Sequence, residues 1–194
     1  MFLQNLKKYH VILASQSPRR HELLAGLDIE FDVIVKDGIE EIVPDGLTRE
    51  QIPLYLAELK LSAYDDELKH NSLIITADTI VWLNDEALGK PTSPEDAFLM
   101  IRKISGHTHT VITGVCIKSM DRTVSFTDES DVTFAKLSDD EIWYYVNKYK
   151  PFDKAGAYGI QEWIGYIGIE NIKGSYYNVM GLPVQRVYAE LRTF

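Results

Sequence analysis

The stretch VILASQSPRR, residues 11–20, decides the fold. Its first four residues are apolar and partly β-branched, which is typical of a short buried strand. Ser17 followed by Pro18 is typical of a helix start, because serine caps free N–H groups and proline fits the first helical position. The stretch therefore predicts a strand, a tight polar turn and a helix that ends near Gly26.

Strand-like and helix-like segments alternate along the rest of the chain. In chain order we predict a strand at 31–35, a helix beginning between Thr48 and Pro53, a buried strand at 73–77 that ends in Asp78, a hairpin at 80–83 and 86–88, a helix from Pro94, strands at 107–118 and 123–136, a helix after a capping box of Ser138 and Glu141, and a closing helix from Pro183. Helices and strands alternate early and strands cluster later. This order predicts an α/β fold with a mixed twisted sheet and flanking helices.

Composition limits the classes of function. The 194 residues carry 20 Lys and Arg against 29 Asp and Glu, a formal charge of −9, so we expect no nucleic-acid partner. The negative net charge does not exclude a small anionic ligand, because such a ligand needs only a local basic pocket. The single cysteine, Cys116, predicts a buried small side chain and excludes an internal disulfide. No apolar run reaches the length of a membrane span, so we expect a cytoplasmic protein with no membrane partner.

The turn between the first strand and helix is a candidate phosphate site. A helix N-terminus presents backbone N–H groups and a partial positive charge, and both attract anions. Ser15, Arg19 and Arg20 add a hydroxyl group and two guanidinium groups at this point. The alternative is an ordinary capped helix with two solvated arginines. The residues alone leave these interpretations about evenly balanced.

Acidic residues follow two of the predicted strands. Asp78 comes after an apolar strand, where it is a candidate magnesium ligand or general base, or simply a cap on a turn. Glu40 and Glu41 lie in a loop and are solvated surface residues unless the fold brings one of them next to Asp78. Two carboxylates together with substrate phosphates form a typical magnesium site. The residues by themselves thus indicate a small α/β protein that binds an anionic, phosphorylated ligand.

Isolated basic residues carry weaker indications. Lys60, Lys90 and Lys154 stand in apolar or glycine-rich surroundings, where a surface position is more common than a phosphate contact. His107 and His109 share a face of a predicted strand, but no third zinc ligand is evident. We therefore expect structural roles for these histidines.

Six segments in this order resemble the Maf family of nucleoside triphosphate pyrophosphatases. They are residues 13–20, 76–81, 88–91, 105–109, 153–161 and 174–183. The resemblance covers the chain from about residue 11 to its end. It implies a single domain over residues 1–194, with two lobes around a deep cleft, similar to inosine triphosphate pyrophosphatases.

The resemblance also implies a reaction and a set of site residues. The reaction is metal-dependent hydrolysis of a nucleoside triphosphate to the monophosphate and pyrophosphate, with Mg²⁺, or alternatively Mn²⁺, as the divalent cation. Asp78 matches the family's proton acceptor. The implied catalytic residues are Asp78, Lys90 and Glu41, the implied metal ligands are Asp78 and Glu41, and the implied substrate-binding residues are Ser15, Arg19, Arg20, Lys60, Thr79 and Gln161. Glu40 is the alternative to Glu41.

The family has branches with different substrates. Arg19, Thr79 and Gln161 match positions associated with the branch that acts on dTTP and UTP. The alternatives are a pyrophosphatase for 7-methyl-GTP or another purine triphosphate, and a non-hydrolytic nucleotide-binding protein that affects cell division. The implied partner is a small-molecule nucleoside triphosphate, and the tyrosine-rich residues 142–149 could serve a homodimer.

Overall fold

A computed structural model describes residues 3–194 as alternating strands and helices. The strands are β1 (His10–Leu13), β2 (Asp32–Val33), β3 (Ser72–Leu83), β4 (Glu86–Leu88), β5 (Thr108–Lys118), β6 (Thr123–Phe134) and β7 (Ile169–Lys173). The α-helices are α1 (Pro18–Ala25), α2 (Gln51–Ser62), α3 (Pro94–Ile104), α4 (Asp139–Tyr149), α5 (Trp163–Gly168), α6 (Tyr176–Met180) and α7 (Val184–Leu191). This composition confirms the predicted α/β class.

The strands form a mixed sheet in the order β2-β1-β3-β5-β6-β7, with β4 paired to β3. β1 runs parallel to both β2 and β3, with Ile12 opposite Ile74 in the β1–β3 register. β4 is antiparallel to β3, and β7 is antiparallel to β6. The last three residues of β1 are buried, which is why its apolar run has no polar alternation. The predicted mixed sheet is confirmed.

One predicted break in the sheet is wrong. The sequence predicts that a strand ends at Asp78 and that a hairpin begins at Ile80, whereas β3 runs without interruption from Ser72 to Leu83. β-branched and apolar residues on both sides of Asp78 favour a continuous strand. The Asp78 carboxylate is accommodated inside the strand because the Lys60 ammonium group lies 2.5 Å from it.

Local hydrogen bonds help to fix where three of the helices begin. Ser138 and Glu141 form the predicted capping box at the start of α4. The Ser93 hydroxyl accepts a hydrogen bond from the Asp96 backbone N–H at the start of α3. α2 begins at Gln51, whose side chain accepts from the Thr48 backbone N–H at 3.1 Å.

Internal contacts divide the chain into two compact units. The first comprises Met1–Asp78, Thr113–Asp128 and Gly181–Phe194, and the second comprises Thr79–Ile112 and Glu129–Met180. Each unit has buried apolar residues of its own. The proposal that residues 1–194 form one domain stays a prediction. Within residues 3–194, no helix is both long enough and apolar enough to cross a bilayer.

Candidate active site

The turn before α1 is held by hydrogen bonds within the first unit. The buried Ser15 hydroxyl accepts from the Ser17 backbone N–H at 3.2 Å, and His21 Nε2 donates to the Ser15 carbonyl oxygen at 2.7 Å. Ser17 occupies the predicted cap position before Pro18, but its side chain makes no capping hydrogen bond. The predicted start of the helix is therefore confirmed, while the expected role of the Ser17 hydroxyl is wrong.

Arg20 is fixed by two backbone carbonyl groups. Its Nε donates to the Gly181 carbonyl oxygen and its Nη1 donates to the Ala77 carbonyl oxygen, each at 2.8 Å. Burial lowers the pKa of Arg20, and the nearby charges of Asp78 and Glu41 oppose that shift. The guanidinium group is thus held in place next to the residue that precedes Asp78 in β3. Its neighbour Arg19 is half-buried in the first turn of α1.

Lys60 joins the two candidate acidic residues. Its Nζ lies 2.5 Å from Asp78 Oδ1 and 3.0 Å from Glu41 Oε2. The side chains of Lys60 and Asp78 are 17% and 13% exposed, whereas that of Glu41 is 44% exposed. The ion pair between Lys60 of α2 and Asp78 of β3 is therefore well shielded from solvent, and Glu41 contacts the same ammonium group from its loop. The interpretation of Lys60 as an ordinary surface lysine is wrong.

Glu41 and Asp78 are the acidic residues of the first unit that could hold a divalent cation. The carboxylates of Glu41 and Asp78 contact the same Lys60 ammonium group, so a positive charge is already bound between them. Mg²⁺ is bound by one or two carboxylates together with water and phosphate oxygens, so this pair fits its requirements. Residues 3–194 contain no group of three or more His, Cys, Asp or Glu side chains arranged to hold a metal ion. Any cation here would take its remaining ligands from substrate and water.

The other predicted site residues belong to the second unit. Thr79 follows Asp78 in β3 and is half-buried. Lys90 is exposed, and its neighbour Gly89 accepts a hydrogen bond from the Gly156 backbone N–H at 3.0 Å. Gln161 Oε1 is buried and has no hydrogen-bond partner within the described part of the chain. A buried acceptor without a partner costs free energy, so this oxygen is a candidate ligand contact.

A buried ionic cluster beside Gln161 is not evident from the sequence. The prediction that Lys154 is a surface residue is wrong, because its side chain is only 9% exposed and its Nζ lies 3.1 Å from Glu162 Oε1. The Tyr145 hydroxyl donates to the other oxygen of Glu162. The indication in the sequence is the glycine- and alanine-rich segment around Lys154, because small neighbours leave room for the lysine side chain to pack inward. A buried lysine requires a charged partner, and that partner lies eight residues further along the chain.

His109 and Cys116 are buried, as their strand positions require. His109 Nε2 and the Tyr158 hydroxyl are 2.7 Å apart, and burial lowers the pKa of His109 to about 4. His107 lies outside β5 and is exposed, so the two histidines do not share a site. Burial raises the pKa of Cys116 to about 11, which makes it an inert core residue, as predicted.

The chain is similar to known proteins over almost its whole length. A family model described as "Maf-like protein" matches residues 10–194. A Parabacteroides distasonis protein named dTTP/UTP pyrophosphatase is 58% identical over 99% of this chain and 100% of its own length. A Phocaeicola vulgatus protein of the same name is 58% identical over 98% of each chain. The solved Staphylococcus aureus Ham1 protein is 20% identical, with a TM-score of 0.44, over 65% of this chain and 72% of its own.

Proposed function

This chain belongs to the Maf-like protein family, and we propose that it hydrolyses dTTP and UTP to the nucleoside monophosphate and pyrophosphate. The observation that carries the proposal is the joining of Asp78, Lys60 and Glu41 in one charged cluster beside Arg20. Relatives that are 58% identical over nearly the whole chain carry the name dTTP/UTP pyrophosphatase, which supports this choice of substrate.

The turn before α1 supplies the contacts for phosphate. Ser15, Arg19 and Arg20 stand at a helix N-terminus, where guanidinium groups and backbone N–H groups favour a polyanion. Arg20 is anchored by Ala77 and Gly181, so its charge is fixed before substrate arrives. We expect Arg19 to make the direct contact and Arg20 to provide a fixed positive field.

Asp78 is the proposed proton acceptor. The attacking water forms a bond to the α-phosphorus, the bond from that phosphorus to the bridging oxygen breaks, and pyrophosphate leaves. The water's proton passes to the Asp78 carboxylate. In the free protein, Lys60 holds this carboxylate in place through its ion pair. With substrate bound, its ammonium group would spread the negative charge that builds up on the phosphate oxygens.

Glu41 and Asp78 are the residues that would hold a divalent cation, with Mg²⁺ the proposed ion and Mn²⁺ the alternative. When bound, such a cation polarises phosphoryl oxygens and makes water a better nucleophile. Lys60 must then move its ammonium group from between the carboxylates, and we propose that phosphate oxygens receive it. Glu41 reaches Lys60 from its loop, which favours Glu41 over Glu40 for this role.

The second unit contains three further residues that we propose as substrate contacts. Lys90 is an exposed cation and is proposed as a further phosphate contact. The buried Gln161 Oε1 can accept from an N–H group of the base, while its amide NH₂ can donate to a base carbonyl. Thr79 is proposed as a further determinant of base choice. Uracil and thymine present both an N–H donor and carbonyl acceptors, which suits this amide.

A substrate panel tests the proposal. Pyrophosphate release is measured with dTTP, UTP, CTP, GTP and 7-methyl-GTP, each with Mg²⁺, with Mn²⁺ and with chelator. We expect the highest kcat/KM for dTTP and UTP and no turnover in chelator. A preference for 7-methyl-GTP would assign the chain to the other substrate branch. Binding of nucleotide without any pyrophosphate release would instead support a non-hydrolytic nucleotide-binding protein.

Location and assembly remain proposals that accompany this function. The single buried cysteine fits a reducing compartment such as the cytoplasm. Helix α4 buries Ile142, Tyr145 and Val146 and leaves Tyr144 exposed, so only part of the tyrosine-rich segment is available to a second copy. Light scattering in solution would test the proposed homodimer.

A further inference from the structure

Gln161 lies on a tight turn whose ends are defined by hydrogen bonds. The Glu162 backbone N–H donates to the Gly159 carbonyl oxygen at 3.0 Å, which places Ile160 and Gln161 at the two central positions of a four-residue turn. The Gly165 backbone N–H then donates to the Glu162 carbonyl oxygen at 2.9 Å, at the start of α5. The direction of the Gln161 side chain therefore depends on how this turn is held.

The Tyr145 hydroxyl joins the first and last residues of that turn. It accepts from the Gly159 backbone N–H at 3.0 Å and donates to Glu162 Oε2. The Tyr145 side chain is fully buried and stacks on Tyr149, with ring centroids 5.1 Å apart. Burial, and then the hydrogen bond to Glu162, raise the pKa of Tyr145 above its usual range, so the hydroxyl keeps the proton that it donates.

Lys154 engages the remaining oxygen of the Glu162 carboxylate. Its Nζ lies 3.1 Å from Glu162 Oε1 and 2.7 Å from Asp153 Oδ1. The Glu162 side chain is 21% exposed, so its charge is balanced largely by protein groups. Both carboxylate oxygens are thus directed by partners from other parts of the second unit.

Close packing leaves the turn little freedom. A Cβ atom on Gly159 would lie 2.8 Å from the Glu162 carboxyl carbon and 3.0 Å from Lys154 Cε. A Cβ atom on Gly165 would lie 1.8 Å from the Ile160 carbonyl oxygen. A Cβ atom on Gly165 would clash with backbone, and a Cβ atom on Gly159 would push against the Glu162 and Lys154 side chains, so the turn and the ionic cluster are packed against each other.

We propose that Tyr145 is a positioning residue for base selection, because its hydroxyl, together with Glu162 and Lys154, fixes the turn that directs the Gln161 amide. This inference rests on the proposed function, in which Gln161 contacts the base. Among the described residues 3–194, the buried Gln161 Oε1 atom has no hydrogen-bond partner, so the direction of this oxygen depends on the turn that carries it. A hydrogen bond to a base depends steeply on angle and distance, so a loosened turn would weaken discrimination between bases.

The test compares Tyr145→Phe with Tyr149→Phe, which removes a hydroxyl from the ring stacked on Tyr145. In Tyr145→Phe we expect the ratio of kcat/KM for dTTP over CTP to fall about tenfold through a higher KM for dTTP, with kcat within about twofold of wild type. Tyr149→Phe should keep the wild-type ratio. A Tyr145→Phe protein with an unchanged ratio overturns the proposal, because a merely structural hydroxyl would affect stability and not base preference.

A second variant and a second measurement keep the outcome decisive. Glu162→Gln removes the charge that pairs with Lys154 and should lower the same ratio of kcat/KM for dTTP over CTP. This variant provides the test if Tyr145→Phe folds poorly. Amide hydrogen exchange at Gly159 should be about tenfold faster in Tyr145→Phe than in Tyr149→Phe, since the N–H loses its acceptor. An unchanged exchange rate at Gly159 in Tyr145→Phe would show that the Tyr145 hydroxyl does not hold the turn, which overturns the proposal. If the wild-type protein releases no pyrophosphate from any nucleotide, the proposed function is overturned instead. Amide hydrogen exchange at Gly159 then still tests whether the Tyr145 hydroxyl holds the turn.

Discussion

The Lys60 ammonium group stands between two carboxylates in the first unit. Its contacts to Asp78 and Glu41 balance one of the two negative charges that the strand and the loop bring together. We propose that this lysine supplies the positive charge between the carboxylates in the absence of a divalent cation. We therefore expect the charge balance of the proposed site to differ between the free protein and the protein with bound substrate.

Lys60→Met should strengthen binding of a divalent cation in the absence of nucleotide. Without the ammonium group, two carboxylates face each other, and Mn²⁺ should bind about tenfold more tightly. Pyrophosphate release should fall by about a hundredfold or more, because a positive group near the phosphates is lost. Paramagnetic titration with Mn²⁺ and a turnover assay measure the two effects. Lys118→Met, which removes a lysine paired with Asp65 in the same unit, is the matched control.

Asp78→Asn should reduce turnover by about a thousandfold, since the amide cannot accept the proton of water. The side chain keeps nearly the same volume, so the melting temperature should change by about 4 °C or less. The control is Asp65→Asn, which alters an exposed ion pair in the same unit and should keep full activity. Near-normal rates in Asp78→Asn would show that another group accepts the proton.

At the scale of elements, α2 is positioned by its close approach to β5. A Cβ atom on Gly114 would lie 2.4 Å from both the carbonyl carbon and the carbonyl oxygen of Pro53. Backbone cannot give way as a flexible side chain can. The helix that carries Lys60 therefore depends on a glycine in the facing strand.

Gly114→Ala should destabilise the protein by about 3 kcal/mol, which corresponds to about 10 °C in melting temperature for a chain of this size. Turnover should fall as well, because α2 must shift and take Lys60 with it. Gly89→Ala is the steric control, since a Cβ atom there would meet nothing within 4 Å. A melting temperature equal to that of the control would show that α2 and β5 adjust without cost.

The elements that could be predicted are those fixed by neighbours in sequence. The capping box of Ser138 and Glu141 and the proline at the start of α1 act within a few residues, so sequence patterns contain them. The continuity of β3 through Asp78 could not be predicted, because the compensating charge comes from Lys60, eighteen residues away. The same reason explains why the cluster of Tyr145, Lys154 and Glu162 could not be predicted, since Tyr145 lies in α4, seventeen residues before Glu162.

At the scale of the whole molecule, the second unit contains a titratable group that links stability to pH. His109 is 2% exposed, and its pKa is lowered to about 4, chiefly by burial and against the charge of Asp131. Its native form is neutral, whereas an unfolded chain protonates this imidazole near pH 6.5. The stabilising contribution is therefore complete above pH 6.5 and is lost as the pH falls to about 4.

Urea unfolding from pH 7 to pH 4 should show this loss. Wild type should lose about 3 kcal/mol more unfolding free energy over that range than His109→Gln, which has no titrating group at this position. His107→Gln is the control, because His107 is exposed and should leave the wild-type pH dependence unchanged. Equal slopes for wild type and His109→Gln would show that His109 titrates normally in the folded protein.

Asp78 sits in the middle of the twelve residues of β3, and this has a consequence for how such a protein can evolve. Successive side chains of a strand face opposite sides of the sheet, so Asp78 and Thr79 face opposite sides although they are adjacent in the chain. A codon gained or lost within β3 upstream of Asp78 would exchange those orientations and remove the carboxylate from Lys60. We therefore expect insertions and deletions within β3 upstream of Asp78 to be disfavoured, because each would break the contact between Asp78 and Lys60.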